Sequence, residues 1–221
     1  MDRYAPETVF SSIDHGGRYA YGRQPQIGMW NMARFAETLL PLLDPDEEQA
    51  IAAATEAVQS FVRSYQVHWL EGMRAKLGLQ TAEESDGVLA EDFLQVLHDG
   101  QVDFTMAFRS LVPASHGATE DLRSLFGCAQ GIDAWLERWR ARLEREGGGA
   151  EEVLRRANPV YVPRNHKVEE ALEAAVERSD LGPFEELREV LRQPFDEQPG
   201  REAYAVPAPA DGEPYQTFCG T

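Results

Sequence analysis

Apolar residues recur along most of this chain at the spacing of a helix and almost nowhere at the alternation of a strand. Between Ile27 and Leu43, the residues Ile27, Trp30, Met32, Phe35, Leu39 and Leu43 fall close to a 3.6-residue period, so one face of a helix is apolar and should point at a core. Pro41 is expected to end or kink that helix, because proline removes a backbone donor and crowds the turn before it. Asp44-Pro45-Asp46-Glu47 then offers an N-cap, a proline at the first helical position and a glutamate at the capping-box position. A long helix is therefore predicted from about Pro45 to Lys76, with Gly78 as its C-terminal cap.

The helical pattern continues through "GVLAEDFLQVLHDG" and "VDFTMAFRSLV", breaks at "VPASHG", and resumes in "TEDLRSLFG" and "IDAWLERWRARLERE". In the last of these, Trp135, Trp139 and Leu143 stand at i, i+4 and i+8, and Gly147 to Gly149 close it. "EEVLRRAN", "KVEEALEAAVERSD" and "FEELREVLR" complete the set. No stretch alternates strongly enough for a sheet and no internal repeat is evident, so the fold class is mainly α. From Pro194 the periodicity gives way to a proline- and glycine-rich stretch. The tail is read as extended, either wrapping the body or staying mobile, and Phe195, Tyr204, Val206, Tyr215 and Phe218 favour wrapping.

Composition narrows the partners more than the fold. With 21 Lys and Arg against 38 Asp and Glu, the formal net charge is -17, which repels nucleic acid and anionic membrane surfaces. From Glu169 onward about 13 acidic residues stand against 4 basic ones, read as a solvated acidic face. No apolar run approaches the roughly 18 to 20 residues of a membrane span, and Met1-Asp2-Arg3-Tyr4 does not open a signal peptide, so a cytoplasmic protein is expected. Cys128 and Cys219 are too few and too far apart for a disulfide framework and read as reduced thiols.

The residues that could do chemistry are scattered. His15, His68, His98, His116 and His166 have no HExxH, HxH or CxxC partner, so metal binding has little support. Ser115 to Asp121 mixes a hydroxyl, a histidine and carboxylates but reads more simply as a loop followed by a helix N-cap at Thr119. Gly147 to Gly149 lack the Lys-Ser/Thr of a phosphate cradle, and no GxGxxG occurs. The residues alone therefore assemble no complete active site.

One stretch carries a resemblance. "VFSSIDHGGRYAYGRQPQIGMWNMARFAETLLPLL" fits the pattern GRYxxxxQPxxxxWNxxR through Gly17, Arg18, Tyr19, Gln24, Pro25, Trp30, Asn31 and Arg34. Collinear matches follow at Met73 to Leu79, Val102 to Leu111, Asn158 to Leu172 and Pro194 to Pro199, covering essentially the whole chain. Together these resemble the selenoprotein O family, kinase-like enzymes that transfer AMP from ATP to protein hydroxyls.

The resemblance implies the helical C-lobe and C-terminal extension of a kinase-like fold. Residues 1–26 would form an activation-segment-like loop, residues 27–193 the helical C-lobe and extension, and residues 194–221 an extended tail. Arg18, Tyr19 and Gln24 fall in that loop, where they either contact nucleotide or substrate or fix the loop against the helices. ATP and Mg or Mn are the implied cofactors, and protein substrates and an N-terminal kinase-like half the implied partners. In the family a DYG-type motif supplies the metal-holding aspartate and ends a few residues before the position of Met1. The glycine-rich loop, strand lysine, phosphate-holding arginines and catalytic-loop residues also lie upstream.

None of those groups has a counterpart here, so no catalytic, cofactor-binding or metal-binding residue is assigned to this chain, and it is expected to be inactive alone. The alternative is a catalytically inactive, acidic helical interaction or regulatory module. Cys219 occupies the position where the family carries cysteine or selenocysteine, which in some members pairs with a cysteine in the loop. Aligned on Gly17-Arg18-Tyr19, that loop position holds Phe10, which puts the disulfide in doubt. A redox role and an inert tail thiol both stay open for Cys219.

Overall fold

The computed structural model describes residues 2–126 and 131–209. It is mainly helical, as the periodicity predicts. The helices are α1 (Gln24–Leu43), α2 (Glu47–Lys76), α3 (Asp86–Asp99), α4 (Phe104–Ala114), α5 (Glu120–Leu125), α6 (Gly131–Glu144), α7 (Ala150–Ala157), α8 (Asn165–Arg178) and α9 (Gly182–Val190). Among the described residues the β structure is confined to one isolated antiparallel bridge between Arg3 and Asp103. Among the described residues two compact units result: one is Ala5–Glu71, the other residues 2–4 and 72–209.

Local chemistry explains where the predicted boundaries moved. α1 starts at Gln24 rather than Ile27, with Pro25 in its first turn, where a missing N–H costs nothing. Pro41 neither ends nor interrupts it: the helix runs on to Leu43, because a proline in the last turn forfeits only one ladder bond. α2 is capped by Asp46, not Asp44. The Asp46 carboxylate accepts from the backbone N–H groups of Glu48 and Gln49, while Asp44 accepts from Asp46 N and shapes the turn before it.

Gly78 ends α2 as predicted, and for two reasons. Its φ of +77° is a left-handed conformation, and Leu79 N–H closes back on Arg74 O at 2.9 Å, the long bond of a Schellman turn. A β-carbon there would also lie 2.9 Å from Leu154 Cγ, so the glycine is required by packing as well as by backbone.

The unit from Gly72 onward has a closed aromatic core. Phe93 of α3 stacks on Trp135 of α6 at 4.1 Å, Trp135 on Trp139 at 5.6 Å, and Phe108 of α4 meets Phe93 edge-on. Both buried indoles satisfy their N–H on backbone carbonyls, Trp135 on Leu89 and Trp139 on Leu77. Leu77, Leu97, Leu111, Leu122, Leu136 and Leu154 fill the space around them and are fully buried.

Charge is buried here too. Arg142 of α6 donates Nε to Asp86, Nη1 to Glu146 and Nη2 to the Thr81 carbonyl, and Arg74 donates to the second Asp86 oxygen. The side chains of Asp86 and Glu146 are wholly covered. Burial alone would push both carboxyls up. For Asp86, the bonds from Arg142, Glu83 N–H and Arg74 outweigh that and hold it below its ordinary value; for Glu146, those from Thr81, Gln80 N–H and Arg142 do the same.

A second buried guanidinium, Arg164 just ahead of α8, ties distant segments of this unit. It donates twice to Asp103, the N-cap of α4, at 2.7 and 3.1 Å, once to Asp2 at 2.5 Å and once to the Ala205 carbonyl at 2.9 Å. Residues 194–205 are held mostly through backbone groups rather than by the expected burial of aromatics. Pro194 O accepts from Val160 and Tyr161 N–H, and the Tyr161 hydroxyl accepts from Gln198 N–H, while Phe195 and Val206 stay exposed. Tyr215, Phe218, Cys128 and Cys219 lie outside the described residues.

The unit Ala5–Glu71 is built differently. α1 buries none of its residues, although Met29, Trp30, Met32, Phe35, Leu42 and Leu43 all lie on it. Ile51, Val62, Tyr65 and Val67 of α2 are exposed as well. Gly28 lets α1 pass close to Phe61 of α2, whose ring would be 3.2 Å from an added β-carbon. Farther along, Ala33, Ala36 and Leu40 face Ile51, Ala54 and Val58 across a mostly apolar groove of about 450 Å³.

Candidate functional site

The GRY loop is organised by a residue that the motif does not contain. Asp14 accepts from Arg18 N–H at one carboxylate oxygen and from Tyr19 N–H at the other, both at 2.8 Å. Gly17, with φ of +61°, supplies the left-handed turn between them and returns its N–H to Asp14 O. An aspartate followed three to five residues later by Gly-Arg-Tyr is the sequence signal for this loop, and pattern reading centred on the arginine passed over it.

The three candidate residues do different things. Gln24 donates Nε2 to Tyr19 O at 2.5 Å, so these two lock the loop onto the start of α1. Arg18 sends its guanidinium outward, 4.3 Å above the Trp30 ring. Arg23, outside the candidate set, donates Nη1 to Gly16 O and Gly17 O and braces the turn from the other side. Gly22 N–H closes on Pro6 O at 2.7 Å, and an added β-carbon at Gly22 would lie 3.1 Å from that same oxygen. Burial, with Tyr65 behind it, pushes the Tyr21 phenol above its ordinary value. Arg18, Arg23, Gln26, Ile27, Trp30 and Gly16 line an open recess of about 400 Å³.

The Ser115 to Asp121 stretch does not form a nucleophile and base pair. Ser115 Oγ donates to Val112 O, and His116 Nε2 pairs instead with Glu151 of α7 at 2.6 Å. Hydrogen bonds from Arg155, then His116, hold that exposed glutamate below its usual range. Thr119 occupies the N-cap position of α5 but makes no side-chain cap bond. The Gly147 to Gly149 turn joins α6 to α7 in left-handed conformations, and Gln80 donates to Gly148 O at 2.7 Å.

A nucleotide with a divalent metal needs a converging set of carboxylates and a backbone or cationic cradle for phosphate. Among the described residues no group of three or more His, Cys, Asp or Glu side chains could hold a metal ion. The described residues do not fit that group. No helix among the described residues is long and apolar enough to cross a membrane.

The comparisons with known proteins bear on the whole chain. A protein nucleotidyltransferase YdiU of Rhizobium meliloti (strain 1021) is 48% identical over 226 residues, covering all of this chain and 46% of that protein. The YdiU nucleotidyltransferase of Chromobacterium violaceum is 50% identical and that of Mycobacterium sp. (strain KMS) 52%, with 47% and 45% of their lengths covered. The chain thus spans about half the length of the curated relatives it matches. With the family model described as protein adenylyltransferase SelO matching residues 1–192, the chain belongs to the SelO family of protein nucleotidyltransferases.

Proposed function

We propose that this chain is the C-terminal, helical part of a protein adenylyltransferase that moves AMP from ATP to Ser, Thr or Tyr hydroxyls in the cytoplasm. In this reading, ATP and Mg or Mn are held by an N-terminal kinase-like half, and this chain supplies the activation-segment-like loop over residues 1–26 and the helical C-lobe and extension that follow it. Arg18, Tyr19 and Gln24 belong to that loop, Tyr19 and Gln24 as its locks and Arg18 as an outward-facing cation.

The observation that carries the reading is α1. It matches the family, yet not one of its residues is buried, and an apolar helix in that state is a surface built to be covered. The relatives, twice as long, have the additional chain to cover it. The second reading, an inactive acidic helical interaction module, draws its support from the closed core of the chain from Gly72 onward, which needs no partner to be buried.

The deciding experiment measures AMP transfer from labelled ATP with Mg or Mn, for the chain alone and mixed with a separately expressed N-terminal half of a relative. Label incorporated only in the mixture is the expected result. Label from the chain alone would overturn the assignment of the nucleotide and metal groups to the other half. No label in either case would put the interaction module ahead.

A further inference from the structure

Residues 14–34 hold Arg18, Arg23 and Arg34 against a single carboxylate, Asp14, in a chain whose net charge is -17. Arg34 is ion-paired with Glu37. Arg18 has no such partner among the described residues: its backbone N–H uses Asp14, but its guanidinium lies on Trp30 with no carboxylate or carbonyl accepting from it. Arg23 spends one nitrogen on two glycine carbonyls and likewise has no carboxylate. Both line the 400 Å³ recess beside Gln26, Ile27 and Trp30.

Stacking on an indole orients a guanidinium while leaving its in-plane N–H donors available, and that planar fork matches a carboxylate. The flat ring also lowers the freedom the side chain must lose on binding. We propose that this recess docks an acidic side chain of the protein substrate, with Arg18 as the group that reads it and Arg23 as the supporting cation. The proposal rests on the AMP-transfer reading for its biological role and gives it a substrate preference: hydroxyls with Asp or Glu nearby. A nucleotide phosphate fits the recess less well. Its higher charge is ordinarily shared among several cations and a metal, whereas two arginines stand here without a metal-holding group among the described residues.

The test uses the full chain and a fluorescein-labelled ten-residue serine peptide with Asp on both sides of the serine, beside its Asn twin. Anisotropy at low salt is expected to show the Asp peptide binding roughly tenfold tighter, the scale of one charge-assisted hydrogen-bond pair. Arg18→Gln should abolish the preference, Arg23→Gln weaken it, and Arg18→Lys retain only part of it, with unchanged circular dichroism in each variant. Equal binding of the twins, a preference that survives both Gln variants, or displacement of the peptide by AMP alone would each overturn the proposal. In the mixture with the N-terminal half, the Asp peptide should have the lower KM; equal KM values would also overturn it. Asp preference without any AMP transfer would discard the transfer reading and leave the docking site standing.

Discussion

The chain from Gly72 onward and the stretch Ala5–Glu71 are comparably rich in large apolar residues but use them in opposite ways. In the first, Trp135, Trp139, Phe93 and Phe108 interlock and are almost entirely removed from water. In the second, Trp30, Phe35, Met32 and Leu42 are between 46% and 81% exposed. A hydrophobic pattern with helical period therefore states that a face wants to be covered, and says nothing about what covers it. The same stripe on α6 is fully covered, while among the described residues that on α1 meets only one side of α2 and stays open to solvent.

Substitutions matched across the two regions sharpen the contrast. Trp139→Ala should cost the largest amount, about 4 kcal/mol in urea unfolding, because it removes a fully packed ring and leaves its cavity. Phe35→Ala on α1 should change the same measurement by less than about 0.5 kcal/mol while lowering self-association in sedimentation. If the two effects were equal, α1 would be covered in solution and the contrast would fail.

Next comes the ionic pair of experiments. Arg142→Met removes the cation shared by the buried Asp86 and Glu146 carboxylates and should destabilise by about 3 kcal/mol, whereas Arg34→Ala, which breaks an exposed pair with Glu37, should cost about 0.5 kcal/mol or less. The pH dependence has a definite sign. Asp86 and Glu146 titrate below their unfolded values of 3.8 and 4.5 when folded, so the unfolded chain binds more protons in that window. Their stabilisation is complete above about pH 4.5 and is lost as the pH falls through and below these values. Thermal melts from pH 7 to pH 3 should show this decline in the native chain and a flatter profile in Arg142→Met.

The smallest of the three losses comes from a pair of glycines. Gly78→Ala forces a side chain into a left-handed turn and against Leu154, and should cost about 2 kcal/mol. Gly28→Ala sits mid-helix with only the edge of the Phe61 ring nearby, a side chain able to give way, and should be neutral or stabilising by up to about 1 kcal/mol. Differential scanning calorimetry of the two variants is the check.

Local signals were the readable ones. The periodicity located the helices, Gly78 announced the end of α2, and the i, i+4 tryptophans of α6 announced the core, because each depends on residues within one or two turns. The buried charges were not readable. Arg142 and Asp86 lie 56 residues apart, and each looks like part of a solvated helix face until the fold brings them together. Pro41 and Pro113 read as breaks but sit inside the last turns of α1 and α4, where the helix tolerates them. At the candidate site the motif arginine was visible, but the carboxylate that shapes the loop was Asp14, three residues ahead of the motif.

The Arg164 clamp also sets an order of events during synthesis. Its bond to Asp2 spans 162 residues of sequence. At roughly 5 to 20 residues per second, Arg164 is made about 8 to 30 seconds after Asp2. Residues 2–4 meet His98, Val102 and Phe104 about 60 residues of synthesis before Arg164 can join them. The Asp2 carboxylate therefore gains its buried cation late, and until then a chaperone or protease meets that segment held by the α3–α4 region but not yet by the clamp.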